Sequence, residues 1–213
     1  LTILVADDSA SPSPPEFPSR NRVVHFPLPF DQGVSCGRNY LLGQVRTPYF
    51  LLLDDDFHFT GETRIEEFVR LMEENRDLDI LGGLVYNRGR KPIRSSFTIR
   101  FKDGVLEKFR KPSGERDGIS FYDMVANFFI AKTEIAKKVR WREELKLAEH
   151  TAFFLDCQKA GLKVGYCEAV KINHERIAGA GYKKMRKDRG KEYGALFREM
   201  YGIREIYEDG IRK

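Results

Sequence analysis

The stretch that most constrains this chain is Thr47 to Thr60, TPYFLLLDDDFHFT. An unbroken apolar run, Tyr49 to Leu53, follows a Thr-Pro pair and ends in three adjacent aspartates, Asp54, Asp55 and Asp56. A short apolar run with such flanks reads as a strand buried on both faces, as inside a parallel sheet. Three neighbouring carboxylates repel one another unless positive charge sits among them. A divalent cation with oxygen ligands, itself holding a phosphorylated substrate, relieves that repulsion. Open α/β sheets bind ligands at the carboxyl ends of their strands, where these aspartates lie. A solvated acidic turn or a helix N-cap cluster is the competing reading. The direct exit from Phe50-Leu51-Leu52-Leu53 favours the metal.

Strands and helices alternate along most of the chain, which predicts an α/β class with a largely parallel, twisted sheet. Leu1 to Ala6 is a strand closed by Asp7-Asp8-Ser9, and proline-rich Ser11 to Pro18 is a loop. Val23 to Leu28 is a short edge strand. Gly33 to Val45 is a glycine turn feeding a helix with Tyr40, Leu41 and Val45 inward. Thr60 is the expected N-cap of a helix over Glu62 to Glu74, with Ile65, Phe68, Val69 and Met72 at helical spacing. Leu78 to Tyr86 is a buried strand whose Gly82-Gly83 implies a backbone passing close to a neighbour. Ser96 to Phe101 and Val105 to Phe109 form a hairpin around Asp103-Gly104, with a type I′ turn.

Lys111 to Gly118 (KPSGERDG) reads as a polar loop, Phe121 to Ala131 as a strand, and Thr133 as the cap of a short helix. Leu147 to Ala160 is a helix carrying Phe153, Phe154 and Leu155, stopped by Gly161. Val164 to Asn173 is the last strand and runs into His174. Gly181 to Lys191 is a basic, glycine-punctuated loop before a helical tail.

At 213 residues, 41% hydrophobic and 12% aromatic, the chain can bury a core as one good-sized domain. A net charge of +5 is mild; it does not argue for nucleic acid and fits a phosphate-bearing ligand at least as well. Three cysteines give no disulfide framework, and no apolar stretch approaches membrane-spanning length.

Charged residues recur where ligands bind. Asp7-Asp8 ends the first strand, although an Asx-turn would use the same residues. Arg38 could meet an anionic ligand bidentately or form a surface salt bridge. His174, after Asn173 at a strand end, is a metal candidate. Lys183, Lys184, Arg186 and Lys187 either neutralise phosphate or form a solvated run. Glu149-His150 opens a helix with Asp156 two turns on; a cleft carboxylate can be a general base, or merely compensate a helix N-terminus.

ADDS at 6–9, GRN at 37–39, DDDFHFT at 54–60, LDILGG at 78–83, VANFFIAKT at 125–133, HTAFFLD at 150–156 and the strand-end His174 follow in order. In this the chain resembles glycosyltransferases of the GT-A fold, with an Asp-x-Asp motif at Asp54 and Asp56. More narrowly, it is similar to the inverting β-1,4-N-acetylgalactosaminyltransferases that build gangliosides, over roughly Leu1 to His174. The resemblance implies one GT-A domain: a nucleotide-binding half over 1–86, an acceptor and donor-sugar half over 87–176, and a basic loop and C-terminal helix over 177–213.

By position, the resemblance gives Asp7, with Asp8 beside it, the uracil imide, and Arg38 the base or diphosphate. Asp54 would bind the ribose, with Asp55 in the same nucleotide-binding set. Asp56 and His174 would coordinate manganese or magnesium, and Asn127 would lie against the donor sugar, close to Gly83. Glu149 would be the base, with Asp156 and His150 as rivals, because the ganglioside enzymes carry their acid where this chain has Ala152. The expected partners are a UDP-sugar donor and a glycan acceptor, in the Golgi lumen if the chain follows that family and otherwise in the cytoplasm. Transferases of this fold carry a strand and helix ahead of the ADDS strand, so the sequence is trimmed or its sheet has one strand fewer. A nucleotidyltransferase is the alternative enzyme, but Ser9 to Glu16 (SASPSPPE) lacks the expected glycine-rich phosphate loop. A non-catalytic sugar-binding module is the alternative from another class, kept open by Ala152.

Overall fold

The computed structural model describes residues 1–14, 22–88, 91–175 and 180–213, except the side chains of 180–183, 185 and 186. The chain begins with β1 (Thr2–Asp7), β2 (Arg22–Pro27), α1 (Val34–Gln44), β3 (Tyr49–Leu52), β4 (Phe57–His58) and α2 (Ile65–Glu74). It continues through β5 (Ile80–Asn87), β6 (Lys91–Pro92), β7 (Thr98–Lys102), β8 (Val105–Phe109), β9 (Gly114–Arg116) and β10 (Ile119–Tyr122). It ends with β11 (Phe129–Lys132), α3 (Thr133–Val139), α4 (Glu149–Lys159), β12 (Val164–His174), α5 (Ala180–Tyr201), β13 (Glu205–Glu208) and β14 (Ile211–Arg212).

The main sheet has the order β3-β11-β5-β12-β10-β9. It is mixed rather than largely parallel. β5 and β12 pair in parallel, but β11 lies antiparallel between β3 and β5. β3, β5 and β12 therefore all run in one direction and bring their carboxyl ends to one edge. Neighbouring residues of β11 divide between two apolar clusters, Phe129 and Ala131 in one and Ile130 in the other, so the clusters cover opposite faces. In the first, Phe153 of α4 stacks on Phe129 and on Trp141, at ring-centroid distances of 6.2 and 4.2 Å. Full burial of Phe153 and Phe154 stabilises the seat of α4 by about 1.5–3 kcal/mol each.

Gly82 and Gly83 confirm the expected close approach. A Cβ at Gly82 would lie 2.6 Å from Val125 Cβ; one at Gly83 would lie 2.6 Å from Phe128 Cε1 and 2.7 Å from the Val170 carbonyl. Gly83→Ala is therefore expected to cost about 1–3 kcal/mol. Urea unfolding should show a lower midpoint at unchanged slope; an unchanged midpoint would contradict this packing.

The Asp103-Gly104 turn has φ of 50° and 73°, as a type I′ hairpin requires. Several other expectations are corrected. Lys111 to Gly118 is not all loop: it contains β9 and a second turn, Asp117-Gly118, with φ of 51° and 78°. The strand expected over Phe121 to Ala131 is two strands, interrupted where the Asp123 carboxylate accepts from the Ile99 amide at 2.7 Å. Thr60 closes a turn with Thr63 instead of capping α2, which starts at Ile65. Val69 is exposed, and Leu71 takes its place in the core. Thr133 is the first residue of α3, not its cap, and its hydroxyl is buried without a partner among the described residues. Gly181 to Lys191 lies within α5.

α1 is rotated from its expected orientation, with Leu41 and Val45 half-buried beside the buried stripe. Tyr40 is exposed, while Ser35, Arg38, Asn39 and Leu42 are buried. The polar stripe faces inward because each member has a partner. Ser35 donates to the Leu145 carbonyl, and Asn39 exchanges hydrogen bonds with the Trp141 backbone in both directions, all at 2.8 Å. β13 and β14 were not foreseen; β13 adds in parallel to β8 and completes a second, four-stranded sheet.

Candidate active site

Strand register builds the centre of the site. β11 pairs with β3 so that Phe129 faces Leu52. Continued two residues further, the same register sets Asn127 opposite Asp54, and the Asn127 amide donates to Asp54 at 3.0 Å. Its own Oδ1 is buried without a partner among the described residues. On the other side of the sheet's centre, β12 pairs with β4 so that His174 faces Phe57. This brings His174 Nε2 to 2.9 Å from the Asp56 carboxylate. The Glu175 amide also donates to the Asp56 carbonyl at 2.9 Å.

The base candidate arrives from the opposite side of Asp54. Ala148 takes the left-handed conformation, φ 66°, and Glu149 begins α4. For a residue with a Cβ this strain costs about 1–2 kcal/mol. Arg38 bridges the two carboxylates, with Nη2 2.8 Å from Asp54 and Nη1 3.4 Å from Glu149. Its guanidinium lies 5.8 Å from the centre of the Trp141 ring. Burial pushes the Glu149 carboxyl above its ordinary value, and the Arg38 charge works against that rise.

Asp56 and His174 suit a divalent cation. Donors at adjacent corners of an octahedral ion lie about 3 Å apart when the bonds are about 2.1 Å, and these two are 2.9 Å apart. The His174 Nδ1 is buried without a partner among the described residues. No group of three or more histidine, cysteine or carboxylate side chains gathers there among the described residues. A cation held by this pair would complete its shell with diphosphate oxygens and water, the habit of magnesium-like ions.

Other expected site residues are placed differently. Asp7 forms an Asx-turn with the Ser9 amide at 3.0 Å and contacts His25 at 3.2 Å; hydrogen bonds from Ser9 lower its carboxyl to about 2. Asp8 accepts from the Gly33 amide at 2.6 Å, and Asp55 is exposed. Gly83 does lie close to Asn127, since its amide donates to the carbonyl of the next residue, Phe128, at 3.0 Å, but a Cβ there would point at Phe128 and Val170, into the second apolar cluster. Lys184 and Lys187 are exposed on α5; the side chains of Lys183 and Arg186 lie outside the described residues.

The structure does not bring Asp156 to the Asp54 group. Asp156 lies two turns, about 10 Å, further along α4 than Glu149. There it accepts from Arg142 Nε at 2.7 Å and from the Tyr201 hydroxyl at 2.9 Å. Asp156→Asn is therefore expected to cost about 1–3 kcal/mol of stability, read as a lower melting midpoint, while UDP binding is retained. Ala152 is buried in the first apolar cluster. His150 is buried against Phe154, and burial lowers its imidazole to about 4, so it is neutral. Sequence reasoning missed Trp141, the sole tryptophan, whose ring supports Arg38.

The mixed sheet flanked by helices carries acidic residues at one strand edge and faces a carboxylate at a helix start, and solved structures of the GT-A class share this fold. Residues 1–140 match the family described as Glycosyl transferase family 2, and the chain belongs to that family. It is 32% identical over 207 residues to beta-1,4 N-acetylgalactosaminyltransferase 1 of Rattus norvegicus. That alignment takes in 93% of this chain, whereas those with the mouse and human enzymes of the same name take in 82% at 34% identity. The chain spans 38% of the length of the Rattus norvegicus enzyme. Two solved structures share the fold. GalNAc-T7 with UDP, GalNAc and Mn2+ superposes with a TM-score of 0.57 at 11% identity, over 83% of this chain and 38% of that one. S. aureus TarS 1–349 with UDP-GlcNAc gives 0.55 at 15% identity, over 76% of this chain and 45% of that one. No helix among the described residues is long and apolar enough to cross a membrane.

Proposed function

We propose that this chain moves a sugar from a UDP-sugar to a hydroxyl of a glycan acceptor, with inversion at the anomeric carbon. The observation that carries this reading is the meeting of Asp56 and His174 at 2.9 Å beside the Asp54–Arg38–Glu149 group. The relatives' names and the UDP and UDP-GlcNAc in the solved neighbours support the same donor class.

Asp54 takes the ribose, and the free Oδ1 of Asn127 accepts from a hydroxyl or amide of the donor sugar. Asp56 and His174 would hold a manganese or magnesium ion, which supplies positive charge for the departing diphosphate. Glu149 removes the acceptor's proton. The acceptor oxygen bonds to the anomeric carbon from the face opposite the diphosphate, and the carbon–oxygen bond to UDP breaks with its electron pair. With direct attack and no covalent sugar–protein intermediate, the configuration inverts. Calorimetry with UDP and manganese, followed by a UDP-sugar transfer and hydrolysis assay, tests this reading. Binding and turnover are expected; binding without turnover would leave a sugar-nucleotide binding module.

A further inference from the structure

We propose that Arg38 is a positioning residue and not a ligand of the nucleotide: its guanidinium holds Glu149 toward the cleft and ties it to Asp54 at the end of β3. The inference rests on the reading of Glu149 as the base. The Arg38 side chain is only 7% exposed, and both ends of its fork are already bonded to carboxylates. Reaching a diphosphate would break both ion pairs and leave two partly buried carboxylates facing each other, which is strongly unfavourable. The Trp141 ring lies along the guanidinium, and Asn39, the next residue, is fixed to the Trp141 backbone from both sides. α1, the segment leading into α4 and the acidic end of β3 are thus joined through one side chain.

The arrangement predicts how Glu149 titrates, and the affinity for UDP separates a positioning arginine from a nucleotide ligand. The groups facing Glu149 are Arg38 from α1, Asp54 from the end of β3, and the backbone amides of Glu149 and His150 at its own helix start. Arg38 and the amides favour the carboxylate; Asp54 and burial favour the acid. Removing Arg38 must raise the Glu149 titration midpoint, and removing the Asp54 charge must lower it.

The test is a carboxyl-carbon NMR titration of the full chain labelled with 13C-glutamate, the Glu149 signal being the one lost in Glu149→Gln. Arg38→Gln is expected to move the midpoint up by about 1 pH unit or more, with the affinity for UDP plus manganese unchanged by calorimetry. Arg38→Lys should return it part of the way. Should Arg38→Gln fail to fold, Arg38→Lys carries the test through its smaller upward shift and its retained UDP affinity. An arginine not held beside Glu149 would leave the midpoint where it was, and one that binds the nucleotide would lose UDP affinity. An unmoved midpoint, or loss of UDP affinity in Arg38→Gln, would overturn the inference. Full transfer by Glu149→Gln would instead overturn the base assignment, an outcome the titration does not share.

Discussion

Glu149→Gln is expected to lower sugar transfer by about 10²–10⁴-fold, the usual worth of a positioned general base, while UDP binding survives. Glutamine keeps the shape and can still contact Arg38, but it cannot accept the acceptor's proton. Of the acidic and imidazole rivals, Glu149 alone faces the Asp54 group. Asp156 is held by Arg142 and Tyr201, and neutral His150 packs against Phe154. The wild-type rate should fall as pH drops through the Glu149 value, which burial has raised, because the base works only when ionised. Steady-state rates between mild acid and neutrality would show this limb, and Glu149→Gln should abolish it. If Glu149→Gln turns over normally and Asp156→Asn does not, the base lies elsewhere.

Asp56→Ala should weaken manganese-dependent UDP binding by at least about 100-fold, since even outer-sphere partners of metal ligands are worth 10–100-fold. The substitution removes the hard oxygen of the pair and leaves His174 alone. Calorimetry with UDP, with and without manganese, reads the effect. Loss confined to the manganese-containing titration is expected, together with an unchanged melting temperature in the absence of metal. Equal affinity in both proteins, with manganese present, would remove Asp56 from the site.

The sequence was informative where one local signal decides a structure. The Asp103-Gly104 turn and the Gly82-Gly83 contact were both legible, whereas the nearness of Asp56 and His174 was implied only by the family resemblance. Failures came where partners are distant. Nothing in the sequence links Arg38 to Glu149, 111 residues away, so Arg38 read as an anion ligand or a surface salt bridge. In α1 Tyr40 was misjudged and the polar stripe missed because apolar spacing assumes an apolar neighbour, whereas the helix faces a polar site and a loop backbone. Asp117-Gly118 carries the same turn chemistry as Asp103-Gly104, but its flanking strands are too short and polar to show alternation. β13 is stabilised by β8 across the fold and has little strand signature of its own.

The ladder between β11 and β3 has a practical consequence for engineering. A single residue inserted into Tyr49–Leu52 would rotate every following side chain to the other face of the sheet and part Asn127 from Asp54. On the proposed reading, the contact that would face the donor sugar therefore depends on the length of β3.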